Sequence, residues 1–206
     1  METVLLHGLG QTPESFLITA KWMGREVRCP SLKELMGEEA SYSSLYQGFS
    51  AYCDGLNGPL ALAGLSLGGI LALDYALQNP ERVGALALIA TPYKMPKGLM
   101  TAQDFLFHLM PQSAFKRMGF SKKEVLSLTR SMQDLDFTDG LSSLQPPVLL
   151  ICGGKDKQNL KIMEELGKRL STDLIVLENA GHEVNLAESE RLGDLLKEFF
   201  QKAENR

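Results

Sequence analysis

Six short runs of aliphatic and β-branched residues recur along the chain, and they restrict its fold more than any other feature: TVLLH from Thr3, EVRC from Glu26, LALAG from Leu60, VGALALIA from Val83, VLLIC from Val148 and LIVLE from Leu174. Most are apolar at consecutive rather than alternate positions, the pattern of strands covered on both faces. Helical patterns separate them. TPESFLITAKWM offers Thr12 as N-cap and Pro13 at the first helical position, residues 42–54 carry a second helix, and LGGILALDYALQ supplies a third. NLKIMEELGKRL and EVNLAESERLGDLLKEFF follow. This alternation predicts an α/β protein: a mostly parallel sheet of about six strands, helices on both faces, and right-handed crossovers.

One interval breaks the rhythm. From about Tyr93 to Gln145 no run reads as a strand, and TAQDFLFHLM, PQSAFKRM and SKKEVLSLTRSM read as short helices punctuated by Pro96, Pro111 and Gly119. It follows the C-terminal end of a strand, where open α/β sheets bind ligands. Residues 93–145 are therefore expected to form a helical lid insertion in a single domain spanning 1–206. A packed helical subdomain without a gating role fits the same pattern. Phe105, Phe107, Leu109, Met110, Phe115, Met118 and Phe120 in this interval are candidates to line an apolar pocket or to pack the helices onto the body.

Composition narrows the partners. A chain of 206 residues, 44% hydrophobic and 22% charged, is long enough to bury roughly 70% of the surface its unfolded form exposes. The net charge of −4 leaves no electrostatic footprint for nucleic acid. No apolar run approaches the roughly 20 residues of a membrane span, and METVLLHG lacks the basic segment and cleavage site of a signal peptide, so a cytoplasmic protein is expected. Cys29, Cys53 and Cys152 are widely spaced in apolar contexts and read as free buried thiols. His7, His108 and His182 lack the spacing of a helical metal site, so neither metal nor cofactor is expected.

The segment GLSLGG, Gly64 to Gly69, sits between a strand-like and a helix-like run. An activated serine must be lifted from the fold on a tight turn, which requires small neighbours, and the G-x-S-x-G pattern in this setting is a nucleophile elbow carrying Ser66. Such a serine needs a base that works near neutral pH, which points to histidine. His182, in NAGHEVN just past the last strand, falls at the same edge of the sheet, whereas His7 reads as a residue that orders its own loop. The imidazole in turn needs a carboxylate, and Asp156 in CGGKDKQN follows the fifth run at that edge. Asp134 and Asp136 qualify only if the insertion folds inward. Two backbone N–H groups complete an oxyanion hole, one from Leu67 and the other from the HGLGQTP loop, with Leu9 the best placed. Other motifs fail: Gly8-Leu9-Gly10 meets Pro13 where a dinucleotide fingerprint wants its third glycine, and GGKD lacks the spacing of a phosphate-binding loop.

Taken together, LLHGLG, LAGLSLGG, VLLICGGKD and ENAGHEVNLAESERLGDLLKEF, in this order, resemble the α/β-hydrolase superfamily along nearly the whole chain. The resemblance implies the α/β-hydrolase fold, a triad of Ser66, His182 and Asp156, and a backbone oxyanion hole at Leu9 and Leu67. It further implies a serine hydrolase that cleaves a small-molecule ester or thioester through an acyl-enzyme, with no cofactor. Menaquinone-pathway members tend to carry an aromatic residue before the serine and an arginine shortly after it, where this chain has Leu65 and Ile70. The same triad serves an acyltransferase or a C–C bond hydrolase, and a non-catalytic ligand receptor on the same fold is the expectation from another class.

Overall fold

The computed structural model describes residues 1–95 and 120–205. Among these, five parallel strands form one sheet: β1 (Glu2–Leu6), β2 (Leu60–Leu65), β3 (Val83–Ile89), β4 (Val148–Gly153) and β5 (Leu174–Leu177), ordered β1-β2-β3-β4-β5. Every residue of β2 is buried, as an apolar run covered on both faces requires.

The EVRC run is not a strand. It contributes a single parallel bridge between Arg28 and Val4, held by Arg28 N–H to the Thr3 carbonyl and Leu5 N–H to the Arg28 carbonyl, both at 2.9 Å. Glu26 and Arg28 are exposed, and Pro30 has no N–H to extend the ladder, so this edge stays short and charged. The sheet therefore has five strands and one bridge rather than about six strands. The bridge still decides the topology. β1 has Arg28 on one side and β2 on the other, so the chain leaves β1 in one direction and returns on the opposite side. Every later strand then adds in the same direction as β2. The direction reverses between β1 and β2, and ligands of open α/β sheets bind at the carboxyl ends of the strands at such a reversal.

The helices follow their sequence signals closely. After a 3-10 turn at Pro13–Phe16 comes α1 (Leu17–Met23), then α2 (Leu32–Met36), which no sequence pattern announced, and α3 (Tyr42–Asp54). The helix after β2, α4 (Leu67–Gln78), is buried from Leu67 through Ala76 and packs on β1, β2 and β3. Between β3 and β4, α5 (Lys122–Ser131) starts with a capping box between Ser121 and Glu124. Tyr93 and Met95 pair with Phe137 and Leu135 through backbone hydrogen bonds of 2.9 Å, which ties the start of the β3–β4 connection to the segment just before the 3-10 turn at Thr138–Ser143. The expected helices over 101–110 and 111–118, with Phe105, Phe107, Leu109, Met110, Phe115 and Met118, lie outside the described residues; Phe120 is buried. The remaining helices are α6 (Lys157–Leu170), α7 (Val184–Ala187) and α8 (Ser189–Glu204), the last two divided at Glu188 where one continuous helix was expected. α8 packs on α1 and on β3.

Cys53 and Cys152 are buried and Cys29 half-buried, all three as free thiols. Burial pushes each thiol up to about 12. No helix among the described residues is long and apolar enough to cross a membrane.

Candidate active site

Ser66 joins β2 to α4 in a backbone conformation that L-residues rarely adopt, φ 53° and ψ −113°. Three glycines make the turn sterically feasible. A Cβ on Gly64 would stand 2.3 Å from the Gly68 carbonyl carbon, one on Gly68 would stand 2.2 Å from the Leu6 carbonyl oxygen, and one on Gly69 would stand 1.9 Å from Thr91 Oγ1. β2, α4, the end of β1 and the loop after β3 thus meet at backbone distance, as a strained strand-to-helix elbow needs. Backbone bonds of 2.9 Å from Ser66 N–H to the Ile89 carbonyl and from Ile70 N–H to the Ser66 carbonyl hold it. Ser66 is half-buried, and its hydroxyl makes no hydrogen bond to a described residue.

His182 and Asp156 meet. The imidazole Nδ1 lies 2.6 Å from Asp156 Oδ2, with the carboxylate side chain 9% exposed and the imidazole 43% exposed. A glycine at position 153 permits the approach. A Cβ on Gly153 would lie 2.1 Å from the Gly181 carbonyl oxygen, so the end of β4 can press against the loop that carries His182. Gly154 N–H to the Leu177 carbonyl (2.9 Å) and Lys155 N–H to the Ala180 carbonyl (3.0 Å) tie the two loops. Asp156 is also the N-cap of α6, accepting from Asn159 N–H at 3.3 Å.

Asn159 went unrecognised in the sequence. Its amide Nδ2 donates to both Asp156 oxygens, at 3.1 and 2.9 Å, and the signal that could have found it is the cap spacing D-x-x-N. Burial pushes the Asp156 carboxyl up, but the hydrogen bonds from His182 and Asn159 outweigh it and hold the group below the usual carboxylate range. Since Nδ1 faces the carboxylate, Nε2 is the nitrogen left for other chemistry. No hydrogen bond joins Ser66 to His182, consistent with the loose geometry of ligand-free sites.

The HGLGQ loop lies at the end of β1. Gln11 N–H bonds the Gly8 carbonyl at 3.2 Å, and Gly10 at the third position of this turn has φ 88°, which glycine alone takes up without strain. Leu9 occupies the second position. Among the described residues neither the Leu9 nor the Leu67 N–H has a protein acceptor, the condition for donors reserved for a ligand oxygen.

His7 is engaged at both nitrogens: Leu32 N–H donates to Nε2 at 3.2 Å, so Nδ1–H donates to the Gly8 carbonyl at 3.0 Å. Burial pushes its pKa down, and it orders its loop as a neutral ring. Asp136 is spoken for by the Thr138 N–H and hydroxyl, and His108 lies outside the described residues. No cluster of three or more ligating side chains suited to a metal ion occurs among the described residues.

Residues 3–195 match the alpha/beta hydrolase family, and the chain belongs to it. One relative, pimeloyl-[acyl-carrier protein] methyl ester esterase of Aromatoleum aromaticum, is 35% identical over 92 residues, 44% of this chain and 37% of that protein. A putative 2-succinyl-6-hydroxy-2,4-cyclohexadiene-1-carboxylate synthase of Bacillus subtilis is 24% identical over 176 residues, covering 67% of this chain and 64% of that one. The match thus spans between about a third and two thirds of the length of these relatives. Among solved structures, a thermophilic esterase from Thermogutta terrifontis superposes with a TM-score of 0.81 at 22% identity, covering 98% of this chain and 90% of that one, a likeness of fold.

Proposed function

We propose that the protein is a serine hydrolase that cleaves a carboxylic ester or thioester, with Ser66 as nucleophile, His182 as general base and acid, and Asp156 as the carboxylate that orients the imidazole. The observation that carries this reading is the 2.6 Å contact between His182 Nδ1 and Asp156 Oδ2, at the same sheet edge as the strained Ser66 elbow. Asp156 selects the tautomer with the proton on Nδ1, which leaves Nε2 basic.

In the first half-reaction Nε2 takes the Ser66 hydroxyl proton while Oγ bonds to the substrate carbonyl carbon. The carbonyl π pair moves onto oxygen, where the N–H groups of Leu9 and Leu67 receive it. Collapse expels the alkoxide or thiolate, which leaves with the proton from Nε2. A water then gives its proton to Nε2 and attacks the acyl carbon, and the acid departs as Ser66 recovers its proton.

An ester substrate agrees with the esterase name of the relative from A. aromaticum. The synthase name of the B. subtilis relative keeps open a C–C bond reaction on the same three residues. Leu65 and Ile70, both buried and apolar, add no polar group beside the serine and favour plain carbonyl chemistry. Ser66→Ala is expected to lower hydrolysis of p-nitrophenyl acetate by up to about 10⁶-fold and to abolish fluorophosphonate labelling. Undiminished hydrolysis by the variant, or a parent protein that the probe fails to label at Ser66, removes the reading.

A further inference from the structure

Two buried side-chain amides join the HGLGQ loop to the loop that carries His182. Gln11 is 7% exposed and Asn185 is fully buried. Gln11 Oε1 accepts from Gly8 N–H at 3.3 Å and from Asn185 Nδ2 at 3.0 Å, while Gln11 Nε2 donates to Asn185 Oδ1 and to Glu183 Oε1, both at 3.1 Å. The second Asn185 proton goes to the Ser15 carbonyl at 3.2 Å. The orientation of Gln11 has one solution: the Gly8 N–H requires an acceptor, so the amide oxygen faces Gly8 and the NH₂ faces the Glu183 carboxylate. Both NH₂ protons and both lone pairs of Gln11 are then used.

We propose that Gln11 and Asn185 are positioning residues for the reaction described above, and this inference rests on that reading: their reciprocal amide pair fixes the Leu9 N–H relative to His182. Gln11 is two residues from Leu9, and Asn185 is three from His182, whose carbonyl accepts the Val184 N–H at 3.0 Å. In the transition state the oxyanion hole and the imidazole must address opposite sides of one carbon, yet they stand on segments more than 170 residues apart in the chain. The pair is a direct side-chain link between the two. Its buried bonds leave it no second arrangement of equal energy. It acts on alignment in the transition state and makes no contact with bound substrate.

Gln11→Glu tests this. The variant keeps the shape and the acceptor for Gly8 N–H, but it puts a carboxylate oxygen against Glu183 Oε1 and Asn185 Oδ1, so the clasp opens by acceptor repulsion. With kcat normalised to active sites by burst titration, the expected result is a fall of roughly 10- to 100-fold in kcat with KM within about twofold. Adding Glu183→Gln to Gln11→Glu restores a donor opposite the carboxylate and removes one of the two acceptor clashes, so part of the loss is expected to be recovered. Gln11→Ala, which opens the clasp without added charge, should show the same kcat-specific loss and serves if Gln11→Glu folds poorly. An active parent beside variants with unchanged kcat, a loss carried by KM, or a double variant no better than the single overturns the clasp. A parent without Ser66-dependent turnover overturns the proposed function, and the clasp with it.

Discussion

Asp156 does two jobs with one carboxylate: it caps α6 through Asn159 N–H and it holds His182. Substitution separates them. Asparagine is as good an N-cap as aspartate, but it presents a neutral amide to the imidazole and no longer enforces the tautomer. Asp156→Asn is therefore expected to keep the thermal midpoint within a few degrees while kcat falls by about 10⁴-fold, the size of the analogous effect in serine proteases. Asp156→Ala loses the cap as well, adding about 1 kcal/mol of destabilisation, which a denaturant titration reads. The carboxyl is held below its ordinary range in the folded state, so its contribution to stability is complete above the unfolded-state value of about 4 and disappears as pH falls through the lowered value. Melting curves below about pH 4 should fall more steeply for the parent than for Asp156→Asn.

Among the elements, the junction of β4 with the His182 loop holds two glycines that are not equivalent: it depends on Gly153 and not on Gly181. A methyl group on Gly153 would meet the Gly181 carbonyl oxygen at 2.1 Å, whereas one on Gly181 would find nothing within 4 Å. Gly153→Ala is expected to cost about 1–3 kcal/mol and to separate Asp156 from His182, so both the midpoint and kcat fall. Gly181→Ala should leave the midpoint within about 2 °C, a change of under about 0.5 kcal/mol. Were the two to behave alike, the packing of these loops would not be what positions the pair. The same junction indicates how much was legible beforehand. α3 and α4 were readable because apolar periodicity and turn residues bound them, and Asp156 and His182 were readable because strand ends in a parallel sheet share one edge. EVRC reads as a strand only through Val27 and Cys29, while the exposed charges of Glu26 and Arg28 and the missing N–H of Pro30 allow only a bridge. The five-residue α2 is too short to show a period. Gln11 and Asn185 gave no signal, since their meeting depends on the relative height of two loops, which no local pattern encodes.

For the whole molecule, the reversal of chain direction between β1 and β2 places the Leu9 loop and the Ser66 elbow side by side, and the steady order of β3, β4 and β5 brings Asp156 and His182 to the same edge. One contiguous core runs beneath them and includes both Cys53 on α3 and Cys152 on β4. Their thiols, pushed up to about 12 by burial, carry almost no thiolate at neutral pH and are closed to reagents while the core is intact. Pulsed alkylation in mild denaturant should modify Cys29 first and then Cys53 and Cys152 at a common rate, as a single cooperative opening requires; different rates would mean that α3 and the sheet open separately. Two side chains with no place in the chemistry thus form a native clock, and mass spectrometry of the alkylated protein can read from it whether the molecule comes apart in one step.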